Sequence, residues 1–240
     1  MRPSVACVLL LPLVTSLLSA CGDSGDGEEA YREAAEQAVR DAVLTLEDLP
    51  DGWTHSETGA ATYADLALTG ECAQLNRRGA GFPGEVATVD SEPLTGPSAE
   101  ELVNTVSAFN DTQAAEAAVR LAQELVLQCT VQVEEALNSA IRVAAADRNV
   151  SELIGEIEAS VETASFPTFG DETVAYQLRA DFSALLVNFE VTGKILIVRE
   201  GALTGVLIYA VLGDLDQDEE ENLAAVLAGK LAKAEEALPG

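Results

Sequence analysis

The fold is decided by residues 188–211, which read NFEVTGKILIVREGALTGVLIYAV. Both halves of this stretch are rich in valine, isoleucine, leucine and aromatic residues, a composition typical of β-strands. Glu200-Gly201 separates the halves, and glycine at the second position of a tight turn tolerates the positive φ that such a hairpin requires. The stretch therefore predicts two antiparallel strands, at 188–198 and 202–211.

Three more segments have the composition or the alternation of strands. Residues 173–182 resemble the hairpin in composition, whereas 85–93 and 102–109 alternate with a period of two. Strands that are consecutive in the chain are usually neighbours in the sheet. We therefore expect these segments to form one antiparallel sheet.

Three segments have the periodicity of helices. The first covers 28–46 and ends at a Pro-Asp-Gly turn, and the second covers 112–128 after Asn110, a helix-capping residue type. The third begins in the acidic run at 214–221, where carboxylates suit the positive end of the helix dipole. Residues 130–150 fit neither pattern clearly. The order of elements predicts an α+β domain with an antiparallel sheet covered by helices on one face.

The first twenty residues have the layout of a secretory signal peptide. Arg2 precedes an apolar run at 5–18, and the small residues Ser19 and Ala20 follow the run. This run is shorter than the roughly 20 apolar residues that span a bilayer. We therefore expect residues 1–20 to be removed during export.

Residues Leu18-Ser19-Ala20-Cys21 resemble the bacterial lipobox. In that motif the cysteine thiol receives a diacylglycerol, the chain is cut before the cysteine, and the new amine is acylated. A thiolate is a good nucleophile for this reaction, and several acyl chains anchor a protein more stably than one. The resemblance implies that lipid on Cys21 holds the protein to the extracytoplasmic face of the cell membrane. The alternative is an ordinary signal peptide with a cysteine there by chance.

The residues after Cys21 are small and acidic. Residues 22–29 read GDSGDGEE, which offers nothing apolar to bury and predicts a flexible tether. The chain thus divides into a signal peptide at 1–20, an acidic tether at 21–30 and one folded domain at 31–240.

The chain is strongly acidic, with 41 Asp and Glu residues against 13 Lys and Arg residues and a formal charge of −28. Nucleic-acid binding requires a basic footprint, so the composition excludes that function class. The same charge opposes adhesion to anionic lipid headgroups, so the acyl chains must provide the anchoring. A source organism with a generally acidic proteome would explain the charge equally well.

Two of the four cysteines are left to pair with each other. Cys7 leaves with the signal peptide and Cys21 takes the lipid, so Cys72 and Cys129 remain in an exported protein. An even number in an oxidising compartment predicts a disulfide, which would stabilise the domain by about 3–5 kcal/mol in the chain-entropy model. Two free thiols or a metal pair are the alternatives, but no nearby histidine or third cysteine completes a metal site. We expect no metal and no cofactor.

No catalytic arrangement stands out. His55 is the only histidine, and no Gly-x-Ser-x-Gly elbow supplies a nucleophile for it. Residues 214–218 begin like a calcium loop, but Glu219 and Ala225 stand where that loop needs Gly and Glu. Residues 77–81, which read RRGAG, could hold an anion, although a lone glycine-rich turn is weak evidence. We therefore expect no enzymatic activity.

Four short motifs, taken in order, resemble those of the PknH-like extracellular sensor domains and the related LpqN-type lipoproteins of actinobacteria. They are Leu46-Glu-Asp-Leu-Pro-Asp-Gly-Trp53, Val106-Ser-Ala-Phe109 before an Ala-rich helix that ends in Cys129, Phe169-Gly-Asp-Glu-Thr173, and Ile197-Val-Arg-Glu-Gly201. With the closing acidic helix they cover residues 44–238. The resemblance implies an α+β domain with a cleft that binds an envelope ligand without catalysis. The kinase sensors often carry two disulfides, whereas this chain can form one.

Two functions stay open at this point. The first is a non-enzymatic binding or sensing lipoprotein, with a cleft for an apolar or amphiphilic ligand between the helices and the sheet. The second is an accessory lipoprotein that docks on another envelope protein through an exposed apolar patch. A bound small molecule would favour the first, and a tightly bound protein partner would favour the second.

Overall fold

The computed structural model of the chain describes residues 24–56, 68–76, 81–98, 100–147, 154–184 and 187–239. These residues form an α+β domain with an antiparallel sheet, so the predicted fold class is confirmed. The predicted signal peptide and Cys21 lie outside the described residues. No helix in the described ranges is long and apolar enough to cross a membrane.

One antiparallel sheet organises the described residues. Its strands are β1 (Thr54–His55), β2 (Glu85–Asp90), β3 (Leu94–Thr95), β4 (Glu101–Phe109), β5 (Ile154–Ala164), β6 (Glu172–Ala184), β7 (Val187–Glu200) and β8 (Leu203–Leu212). Their order across the sheet is β1-β3-β4-β8-β7-β6-β5, and β2 pairs with β4 on the same edge as β3. The predicted hairpin is β7–β8, and its turn residue Gly201 has the expected positive φ, 54°.

The α-helices are α1 (Ser24–Ala42), α2 (Thr112–Asp147) and α3 (Gln217–Glu235), and 3-10 helices occur at Leu46–Asp48 and Gly70–Asn76. The acidic run does begin α3, as predicted. Asp216 caps this helix, because its side chain accepts hydrogen bonds from the backbone N–H groups of Asp218 and Glu219.

Several element boundaries differ from the sequence predictions. α1 begins at Ser24, so it overlaps the segment 21–30 that is predicted as a tether. Acidic residues are favourable at the N-terminal end of a helix, and here they continue the helix whose later turns pack on the core. α2 continues past Cys129, and Val133 and Leu137 are buried in the additional turns. Most of the ambiguous segment 130–150 is therefore helix.

Strand β5 was not predicted at all, although its sequence alternates. The buried residues Ile157 and Val161 are separated by exposed or half-buried positions that include Glu158. This alternation is typical of an edge strand with one face on the core.

Helices cover both faces of the sheet, and not one face as the sequence analysis expected. Leu196 and Val198 of β7 pack in the core under α1 and α3, whereas Ile195 and Ile197 pack in the cluster under α2. Successive side chains of a strand point to opposite faces. Because β7 is apolar on both faces, each face needs a cover, and α2 provides the second one.

The face under α1 and α3 holds the larger core. Asn104 is fully buried there, and its side-chain oxygen accepts a hydrogen bond from the Leu44 N–H at 3.0 Å while its amide donates to the Val206 carbonyl at 2.9 Å. Trp53 is buried at one end of this core, with its ring centroid 6.4 Å from that of Tyr209. Asn104 thus joins the end of α1 to the middle of the sheet.

Candidate ligand-binding site

A cavity of about 220 Å³ lies between α2 and the sheet. α2 packs closely against the edge strand β5 and more loosely against β4, β7 and β8. This uneven packing leaves a space between the helix and the middle of the sheet. The space lies between a helix and the sheet, which is where the sequence predicts a ligand-binding cleft.

Most of the cavity lining is apolar, and strands β5 to β8 form the largest apolar part of its floor. The side chains that face the cavity from these strands include Val161, Leu178, Ile195, Ile197, Val206 and Ile208. α2 covers them with small and branched apolar residues at helical spacing, namely Ala118, Val119, Ala122, Val126, Val133 and Leu137. These side chains offer no hydrogen-bonding groups, so this part of the cavity suits a hydrocarbon group.

The part of the floor on β2 and β4 carries a polar strip made of Glu85, Thr88, Asp90, Thr105 and Ser107. The Ser107 hydroxyl donates to Glu85 Oε1 at 2.8 Å, so the Thr88 hydroxyl, 2.9 Å away, donates to Ser107. Thr105 donates to Asp90 Oδ1 at 2.6 Å. The strip carries carboxylates, so it suits a ligand group that donates hydrogen bonds and disfavours an anionic group.

The 3-10 helix Gly70–Asn76 contributes a side wall through Gln74 and Leu75. The sulfur atoms of Cys72 and Cys129 are 2.05 Å apart, at disulfide distance, and this contact joins the side wall to α2. The two cysteines predicted to pair are therefore adjacent to the cavity, and they attach its wall to the helix that covers it.

Other residues that the sequence singled out do not line this cavity. His55 is exposed on β1, and its Nδ1 is 2.9 Å from a carboxylate oxygen of Glu92. Cys21 and residues 77–80 lie outside the described residues, so the lipid anchor and the weak anion site stay predictions. Among the residues that the structure describes, no group of three or more His, Cys, Asp or Glu side chains is arranged to hold a metal ion.

Sequence reasoning missed the polar strip, although it identified both strands that carry it. Alternation shows that Thr88 and Asp90 share one face of β2, but it does not show that this face meets a cavity. The pairing of β2 with β4 brings Thr88 opposite Ser107 and Asp90 opposite Thr105. The pairing of these two strands is therefore the signal that could have revealed the strip. It groups Thr88, Asp90, Thr105 and Ser107 into two cross-strand pairs on one face.

Comparisons with known proteins find distant similarity to solved structures. No family model matches the sequence, and no curated protein matches it. The chain is similar to the extracellular domain of PknH from Mycobacterium tuberculosis, with 10% identity, a TM-score of 0.46, and coverage of 84% of this chain and 97% of that one. It is also similar to an uncharacterised protein from Mycobacterium smegmatis, the Rv0999 ortholog, with 9% identity, a TM-score of 0.28, and coverage of 79% and 78%.

Proposed function

We propose that this protein is a lipid-anchored, extracytoplasmic binding protein that holds an amphiphilic ligand between α2 and the sheet, without catalysis. The observation that supports this function is the cavity floor, which is mostly apolar and carries a polar strip on β2 and β4. A hydrocarbon chain would lie over the apolar part, and a head group with hydrogen-bond donors would lie over the polar strip. The ligand class is therefore an amphiphile with a neutral or cationic head.

The proposed location outside the cytoplasm is supported by the N-terminal sequence and by the cysteine pair. The signal-peptide layout and the lipobox resemblance at Cys21 predict export and anchoring. Cys72 and Cys129 lie at disulfide distance, as suits a protein of an oxidising compartment. The acyl chains would hold the domain at the membrane, where amphiphilic ligands concentrate.

A binding role without catalysis agrees with the use of the carboxylates in the polar strip. Glu85 accepts hydrogen bonds from the Ser107 hydroxyl at 2.8 Å and from the Gly81 N–H at 2.7 Å. These bonds fix the carboxylate and join the chain before β2 to the floor of the cavity. Glu85 is thus held as part of the wall, which suits recognition of a head group.

The function can be tested by dye displacement. Residues 22–240 are exported into an oxidising compartment, and the purified protein is titrated with Nile red, whose fluorescence rises in apolar sites. Monolaurin, with a neutral glycerol head, and dodecylamine should displace the dye. Laurate should compete more weakly, because its carboxylate would face the carboxylates of the polar strip. Equal competition by all three compounds would contradict the proposed role of the strip.

Two variants of α2 test whether monolaurin binds in this cavity. Ala122 lines the cavity, whereas Ala117 is exposed on the same helix. Ala122→Phe should weaken monolaurin binding by about tenfold or more, because the phenyl ring occupies the space of the ligand. A tenfold loss of affinity corresponds to about 1.4 kcal/mol of binding free energy. Ala117→Phe should leave the affinity unchanged. Unchanged affinity in Ala122→Phe would mean that the amphiphile binds elsewhere.

Docking on another envelope protein is a second candidate function, and one observation favours it. Leu127 and Val131 lie one turn apart on α2, and they are 63% and 65% exposed. Native mass spectrometry of the protein purified from its own membrane separates the two functions. Loss of a lipid-sized mass on denaturation supports amphiphile binding, and a protein partner that Leu127→Ser releases supports docking.

A further inference from the structure

A second cavity lies on the opposite face of the sheet, beside the start of α3. Its volume is about 490 Å³, within the range of about 300–1,000 Å³ that is typical of small-molecule sites. Gln177 of β6 and Thr192 and Lys194 of β7 line it from the sheet, and Glu220 lines it from the first turns of α3. The lining is mainly polar, unlike the apolar floor under α2.

One buried polar side chain at this cavity has no hydrogen-bond partner among the described residues. It is the hydroxyl of Thr192, a residue that is 4% exposed. Glu220, which is 2% exposed, is paired, because its Oε2 lies 2.7 Å from Lys194 Nζ. Native proteins leave few such groups unpaired, because a buried polar group without a partner lowers stability. Thr192 lines the cavity, so a ligand bound there is the nearest source of a partner for its hydroxyl.

The charges around the cavity disfavour an anionic ligand. Lys194 and Arg179 each form an ion pair with a glutamate at 2.7 Å, so both cations are compensated. The lining also contains the carboxylates of Glu162 and Asp214. The cavity is therefore negative on balance, and a phosphate or carboxylate group would be repelled.

We propose that this second cavity binds a neutral polyhydroxylated ligand, such as one sugar unit of a glycan. Each hydroxyl group of a sugar both donates and accepts a hydrogen bond. A sugar hydroxyl can therefore pair with the Thr192 hydroxyl and donate to the Glu220 carboxylate. Gln177 supplies a further polar group, and Phe166 adds an apolar surface for the C–H groups of a sugar ring. This site lies on the other face of the sheet from the amphiphile cavity and does not depend on it.

Saturation-transfer difference NMR on residues 22–240 tests this inference with three probes of matched size. Glucose, glucosamine and glucuronate are each added at about 10 mM, well above a millimolar dissociation constant. Glucose and glucosamine should receive saturation, whereas glucuronate should receive little, because its carboxylate meets the negative lining. Absence of transfer to glucose and glucosamine, or equal transfer to glucuronate, overturns the proposal.

Thr192→Val tests whether the buried hydroxyl recognises the sugar. The two side chains have nearly the same shape, so the fold should be retained, and glucose affinity should fall by about tenfold with the loss of one buried hydrogen bond. Thr163→Val, at an exposed position of β5 on the opposite face, is the matched control and should bind glucose like the wild type. Wild-type glucose affinity in Thr192→Val would assign this hydroxyl a structural role only and would overturn the proposal.

Discussion

The two faces of the sheet use the same strands but are packed to different degrees. Leu207 of β8 is 1% exposed in the core under α1 and α3, and the next residue, Ile208, lines the cavity under α2. On the first face a Cβ added at Gly205 would lie 3.0 Å from both terminal carbons of Leu227, so no space remains there. On the second face α2 leaves room for a ligand. The first face is thus closely packed around β8, with its cavity set to one side near the start of α3, whereas on the second face the cavity lies directly over β8.

The largest expected effect concerns how α2 is held over the cavity. Cys72 and Cys129 are 57 residues apart, and a crosslink of that length contributes about 4 kcal/mol in the chain-entropy model. The double variant Cys72→Ala/Cys129→Ala should lose that stability in urea unfolding, and it should also bind monolaurin more weakly, because the side wall is no longer joined to α2. A reductant should lower the wild type to the level of the double variant and leave the double variant unchanged. Equal unfolding midpoints without reductant would contradict the prediction.

Substitutions at two neighbouring residues of β8 compare how closely the two faces of the sheet are packed. Leu207→Ala should lower the free energy of unfolding by about 3 kcal/mol, because the lost side chain leaves a hole in a closely packed core. Ile208→Ala should cost only about 1 kcal/mol, since a side chain beside an existing cavity has fewer contacts to lose. Urea unfolding of both variants measures the difference. Similar losses would show that the two faces are packed equally well.

The smallest of these effects tests an ion pair at the edge of the packed face. Lys230 Nζ of α3 lies 2.6 Å from Asp48 Oδ2, which also accepts a hydrogen bond from the Thr45 N–H at 2.8 Å. Burial alone would raise the pKa of Asp48, but the hydrogen bonds from Lys230 and Thr45 lower it below its usual value of 3.8. Because the pair is partly exposed to solvent, Asp48→Asn should cost only about 0.5–1 kcal/mol at neutral pH, where the carboxylate is charged.

The pH dependence gives the sign of this contribution. Because the pKa of Asp48 is lower in the folded state, its stabilising effect is fully present above pH 3.8 and is lost as the pH falls through the folded-state pKa. The stability difference between the wild type and Asp48→Asn should shrink in acid, as measured by urea unfolding at stepped pH. A difference that stays constant from neutral pH to about pH 3 would mean that ionisation of Asp48 is not involved.

Much of the fold could be predicted from local patterns. The β7–β8 hairpin follows from two apolar runs and Gly201, and the start of α3 follows from the acidic residues around Asp216. The second half of α2 was less readable, because 130–150 is rich in alanine and valine without a clear stop signal. β5 was overlooked although Ile157 and Val161 alternate with polar residues.

The sequence by itself determined the α+β class, because strand alternation, helical periodicity and turn chemistry are local properties of the chain. It also carries the predictions of export and of lipid on Cys21, which depend on a short linear motif. Only the tertiary structure decided that α2 covers the second face, and that it packs closely on β5 but loosely over β4 and β8. Both cavities depend on such distances between elements, and no local pattern specifies those distances. The polar strip and the unpaired hydroxyl of Thr192 therefore became visible only once the strands were paired and the helices were in place.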